Sequence, residues 1–128
     1  MVVVGLVLCA VAAAVHLYVF VLESLLWTRP RARAVFGTTP QDATTTRPLA
    51  FNQGFYNLFL VIEITLGITV LALGRTAVGA TLVLVGAGSM VAAGLVLLLS
   101  DRSKARPALV QLVPPLLGGA LLVAGLVA

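Results

Sequence analysis

The sequence predicts an all-α integral membrane protein, a four-transmembrane-helix bundle with a short interfacial helix in the first loop, and three observations lead there. Of 128 residues, 61% are hydrophobic and only 9% charged, whereas an average soluble domain is about 45 to 50% apolar and about 25% charged. The apolar residues fall into four runs, each with the roughly 20 residues that a helix needs to cross a bilayer at 1.5 Å per residue. Finally, seven of the eight basic residues sit in two of the connections between runs: Arg29, Arg31, Arg33 and Arg47 in one, Arg102, Lys104 and Arg106 in the other. A single membrane domain, 1–128, is expected, because nothing is left over to bury a separate soluble core.

The first run, about 2–27, is apolar except for His16 and Glu23 and ends on Trp27, an interfacial residue with arginines just beyond it. It has no basic leader and no convincing cleavage site, so a retained helix is expected. Cys9 is the only cysteine, which leaves packing as its role; Leu8 before it does not fit a lipidation box. The connection 28–50 is the only part with soluble character. In it the run RPRARAVFG suits a segment lying on lipid headgroups, while Thr39, Pro40 and Asp42 predict the start of a short helix over 40–46. The second run, 51–73, is joined to the third, 76–100, by Gly74 and Arg75, which forces an antiparallel hairpin. The fourth, 107–128, contains Pro114 and Pro115, where a kink is expected just beyond Gln111. Small residues mark two packing faces, Gly86, Ser89 and Ala93 on the third helix and Ala120, Ala124 and Ala128 on the fourth.

Charge sets the orientation. The two basic connections belong in the cytoplasm and both termini outside, in a multi-pass protein of a bacterial inner (cytoplasmic) membrane. The basic excess is read as attraction to anionic headgroups, with membrane lipid as partner and no nucleic acid. A homo-oligomer is compatible with this composition.

Ionisable groups inside such runs point to function, because a carboxylate at the bilayer centre costs roughly 2.5 to 3.5 kcal/mol and faces the protein interior or a cavity. His16, Phe20, Glu23 and Trp27 recur at helical spacing on one face, and Gln53, Tyr56, Asn57, Leu60, Glu63 and Gly67 trace a face of the second helix. Counted from the helix ends, His16 and Glu63 share a level about 16 to 18 Å deep, with Glu23, Asn57 and Gln111 nearer the cytoplasm. These positions predict a polar pocket with His16 and Glu63 approaching each other at its floor and Glu23, Gln53, Tyr56, Asn57 and Gln111 along its wall. Its carboxylates are candidates for proton exchange. The competing reading is a hydrogen-bond network that only pairs helices, at roughly 0.6 kcal/mol per contact. One histidine and no HxxxH or ExxH spacing argue against a metal, no nucleophile elbow surrounds Ser89, and no cofactor is expected.

The strings HLYVFVLESLLWTRPRARAVFG, His16 to Gly37, and RPLAFNQGFYNLFL, Arg47 to Leu60, resemble the bacterial membrane-protein family catalogued as domain of unknown function 1304. The resemblance covers essentially the whole chain. By position it includes His16, Glu23, Trp27, Phe36, Asn52, Gln53, Gly54, Tyr56, Asn57 and Gln111; Glu63 lies outside the motif. It implies four apolar segments in a small protein and supplies no reaction. The functional expectation is therefore a buried polar site between the first two helices for a small or lipophilic ligand, with proton chemistry. The alternatives are a compact proton-coupled transporter and a non-catalytic accessory subunit of a membrane complex, and whether the chain is an enzyme is left open.

Overall fold

The structure is a computed structural model that describes all 128 residues. It is helical almost throughout and has no strand. Helix α1, Val2–Phe20, passes directly into a π-helical turn, Val21–Leu25; then come α2, Pro30–Phe36, α3, Pro40–Ala72, α4, Thr76–Ser100, a single 3₁₀ turn, Arg102–Lys104, and α5, Ala105–Val127. Four stretches are long and apolar enough to cross a membrane: Val2–Leu25, Pro40–Ala72, Thr76–Ser100 and Arg102–Val127. An all-helical chain is what lipid demands, since each helix satisfies its own backbone polar groups.

Several boundaries differ from expectation, each for a local reason. The first helix stops at Leu25 instead of Trp27, because Leu26 leaves helical geometry at φ −121°. The arginine segment is itself a helix, α2, with Pro30 in its first turn, and it ends where Gly37 takes a left-handed φ of 66°. The largest correction concerns 28–50 as a loop. The short helix over 40–46 and the second run are one helix of 33 residues that passes through Pro48.

Its start is the predicted one, with the Asp42 N–H donating to Thr39 Oγ1 at 3.1 Å and the Thr39 hydroxyl donating to Asp42 Oδ2 at 2.6 Å. Proline in a helix interior removes a donor and usually breaks the helix. Here the helix is tied down on both sides of it, by Trp27 Nε1 donating to Thr46 Oγ1 at 3.1 Å and by the Ser24 hydroxyl donating to the Phe51 carbonyl at 2.9 Å. At 1.5 Å per residue α3 is about 50 Å long, well beyond a hydrocarbon core of about 30 Å.

Helix α4 has the expected limits, and Gly74 makes the hairpin before it with φ 81°. Helix α5 begins two residues before Pro107, which therefore sits in the first turn where its missing N–H is harmless, and it continues through Pro114 and Pro115.

The chain forms two compact units, one made of Met1–Val15 with Leu60–Ala128 and the other of His16–Phe59. In the first, Cys9, Ala12, Ala13, Ile64, Val83, Ala87, Met90 and Leu122 form a buried core. Glycines let four helical segments approach nearly backbone to backbone. A Cβ on Gly5 would lie 2.7 Å from the Leu122 nitrogen, one on Gly118 2.9 Å from the Cys9 nitrogen, and one on Gly67 2.7 Å from the Val83 nitrogen. The pairs run antiparallel, since contacts step down α5 as they step up α1. The small-residue faces are only partly those expected. Gly86 is buried, but Ser89, Ala93, Ala120 and Ala128 are exposed, and α4 packs instead through Gly79, Val83, Gly86, Ala87, Met90 and Gly94.

Candidate functional site

Glu23 and Asn57 meet in the His16–Phe59 unit, at the π-helical turn. A π turn inserts an extra residue into the helix, so side chains beyond it rotate away from the regular 3.6 spacing, and such turns are frequent at functional sites. Here the turn places Glu23 and Ser24 toward α3. Asn57 Nδ2 donates to Glu23 Oε2 at 2.9 Å, and the same amide nitrogen lies 3.1 Å from the Gln53 carbonyl of its own helix, which fixes how the amide is turned. From the residue next to Glu23, the Ser24 hydroxyl donates to the Phe51 carbonyl.

Gly54 explains how the two elements come so close. A Cβ there would collide with the Ser24 hydroxyl and sit 3.0 Å from the Ser24 nitrogen. The glycine in NQGFYN is thus a contact point for the π turn.

Aromatic rings of the same unit pack on one another. Phe20 meets Phe55 edge to face at 5.3 Å between centroids, Phe51 lies 5.0 Å from Phe55, and Trp27 packs on Phe36 at 5.0 Å. A carboxylate engaged by one amide at one oxygen keeps lone pairs that can accept further hydrogen bonds. No three His, Cys, Asp or Glu side chains come together in a way that could hold a metal ion.

The sequence-derived site residues divide accordingly. Glu23 and Asn57 are joined directly. His16 is 1% exposed and engaged within the protein. Gln53 and Tyr56 belong to the same unit, but their side chains are exposed on α3, Tyr56 at 64%. Glu63 and Gln111, both half-buried, belong to the other unit; a Glu63 carboxylate oxygen lies 3.5 Å from where a Cβ would stand on Gly86. Ser24, Thr46 and the structural part played by Gly54 were not foreseen, because the π turn that brings them together has no sequence signature. The one available signal was a glycine in the middle of a polar and aromatic helical stretch.

Fold and site define a class: small all-α proteins with four helices of membrane-spanning length and a carboxylate–amide pair beside a π turn in the first. The chain belongs to the family described as "Protein of unknown function (DUF1304)", whose model matches residues 10–123. No curated protein and no solved structure matches it.

Proposed function

We propose that the chain is a multi-pass protein of the cytoplasmic membrane that binds a small or lipophilic ligand at the π turn, with Glu23 as the group that exchanges a proton or meets the ligand. One observation carries this reading: Glu23 is a carboxylate in a spanning helix, and Asn57 engages Oε2 at 2.9 Å, leaving Oε1 for a ligand. Carboxylates in such places are costly and mark proton or substrate paths. His16, buried on the same helix, is assigned to support the site from deeper in the membrane.

The test compares the parent with Glu23→Gln, which keeps volume and an oxygen for Asn57. A carboxyl infrared band that appears and disappears with pH in the parent and is missing from the variant is the expected result. Stabilisation of the parent by a membrane lipid extract, lost in the variant, is expected beside it, since a ligand adds RT ln(1 + [L]/Kd) only where a site exists. An unchanged band and unchanged lipid response would sink the proposal.

The exposed Gln53 and Tyr56 favour a second reading, an accessory subunit whose α3 face is covered by another chain. Co-purification of a stoichiometric membrane partner, released by Gln53→Leu with Tyr56→Leu, would support it. A compact proton-coupled transporter is the weaker alternative, because seven basic residues against one argue for a single orientation. That orientation, with 28–50 and 101–107 cytoplasmic and both termini external, is tested by labelling cysteines placed at Thr44 and Ser103, both exposed. Reaction with an impermeant reagent in intact cells would reverse the assignment.

A further inference from the structure

The arginine helix α2 and the corner that follows it carry two unsatisfied polar groups that belong to residues other than the Glu23–Asn57 pair. Two polar atoms in the protein are buried without a hydrogen-bond partner, Nε of Arg33 and Oγ1 of Thr38. They belong to the same corner, since the Thr38 N–H donates to the Arg33 carbonyl at 3.0 Å as the chain leaves α2. Both atoms are buried while their residues are only half-buried, so part of each side chain reaches the surface. Buried polar groups are nearly always satisfied, and a partly desolvated guanidinium without an opposing charge is especially unfavourable.

The neighbouring arginine shows what satisfaction looks like. Arg31 Nε donates to the Tyr18 hydroxyl at 3.1 Å, and its guanidinium lies 5.6 Å from the centre of the Tyr18 ring. Arg33 Nε has no such acceptor. The one acid in this connection, Asp42, lies in the first turn of α3 and accepts from the hydroxyl of Thr39, which caps that helix.

A guanidinium and a hydroxyl carried by residues of one corner, each with an unsatisfied polar atom, suit the oxygens of a phosphate. The surroundings say where that phosphate comes from. Helix α2 packs against the π turn that ends the first spanning stretch, it carries Val35 at 42% exposure, and its Phe36 ring meets Trp27 at a tilt. Arginine, exposed valine and interfacial aromatics on one short element fit a headgroup above and an acyl chain beside it. We propose that Arg33 and Thr38 bind the phosphodiester of an anionic phospholipid, with Arg29 adding charge nearby.

The full-length protein, purified in detergent, is titrated with phosphatidylglycerol, phosphatidylcholine or inorganic phosphate, and bound lipid is counted by native mass spectrometry. Phosphatidylglycerol is expected to be retained over phosphatidylcholine. Arg33→Gln should weaken its retention about tenfold, the loss of one charge-assisted hydrogen bond, and Thr38→Val by a few-fold. Arg102→Gln, which removes the same charge elsewhere, should change it less than about twofold if a formed site outweighs diffuse attraction. If Arg33→Gln fails to fold, Arg33→Lys keeps the charge without Nε or the planar fork, and should still lose most of the preference. Equal losses from Arg33→Gln and Arg102→Gln, equal retention of the two lipids, or displacement of phosphatidylglycerol by millimolar inorganic phosphate would each overturn the assignment.

Discussion

The two units of this chain are held together by opposite means. In Met1–Val15 with Leu60–Ala128, helices meet where side chains are missing, at Gly5, Gly67, Gly79, Gly86, Gly94 and Gly118, and the core between them is small and apolar. In His16–Phe59, they meet where side chains reach across, through Glu23 with Asn57, Ser24 with Phe51 and Trp27 with Thr46. Lipid is as apolar as leucine, so helices in it gain little from hydrophobicity and must gain from close packing or from hydrogen bonds. This protein uses each solution in a separate place. Shape tolerates no added volume but is indifferent to pH, whereas hydrogen-bonded groups can exchange protons and partners, and the candidate chemistry lies among them.

The largest effect that tests this contrast should come from adding volume to the glycine contacts. Gly118→Val drives a side chain into the Cys9 and Gly5 backbones, both 2.9 Å from the Cβ position, and should cost about 3 kcal/mol or prevent folding. Gly88→Ala is the matched control: nothing lies within 4 Å of its Cβ position, so it should be neutral or stabilise by up to about 1 kcal/mol. Both are read from thermal unfolding in detergent. Equal effects would mean that close approach is not what closes the unit.

Next comes Gly54→Ala, the one place where the polar unit also depends on a missing side chain. Its Cβ meets Ser24, and separating the elements strains both the Ser24 and Glu23 bonds, for an expected loss of about 1 to 3 kcal/mol. Any lipid response that depends on Glu23 should vanish with it. A fully stable variant with an intact response would detach the NQGFYN glycine from the site.

Asn57→Ala should be milder, about 1 to 2 kcal/mol, because it removes the donor to Glu23 while leaving the backbone contact in place. Asn57→Asp sharpens the result, since a second carboxylate beside the first is tolerated only if the pair shares a proton. Unfolding midpoints that fall with rising pH in Asn57→Asp, and not in Asn57→Ala, would identify that shared proton.

The smallest expected effect lies in the turn before α5. The Asp101 carboxyl is held below the usual carboxylate range by hydrogen bonds from the Ser103 hydroxyl and backbone N–H. Its folded pKa is lowered, so the stabilisation is present above the unfolded pKa, about 3.9, and fades as pH falls through the folded value. Because Asp101 is fully exposed, only a slight change between pH 5 and 2 is expected, and Asp101→Asn should remove it. A large pH effect would indicate contacts beyond this turn.

The sequence carried the long-range plan. Four runs of spanning length, the Gly74 hairpin, the limits of α4 and the Thr39 start of α3 are all set by local composition and capping chemistry, which act over a few residues and are read directly. Counting from the expected span ends at Trp27 and Phe51 put Glu23 and Asn57 at one level together with Gln111 but did not show that the first two are joined, and α3 in fact begins well before Phe51. The exposure of Gln53 and Tyr56 was not legible either, since a helical face defined by spacing alone does not say which side a neighbour covers.

What tertiary structure decided lies around the π turn and Pro48. Local preference ends a helix before proline and keeps 3.6 residues per turn in a run such as VFVLESLL; contacts from Ser24, Trp27 and Gly54 coincide instead with a 33-residue helix through Pro48 and an extra residue at Val21–Leu25. Each departure costs free energy locally and is offset only by a partner many positions away. That partner exists in the folded chain and nowhere in the local sequence.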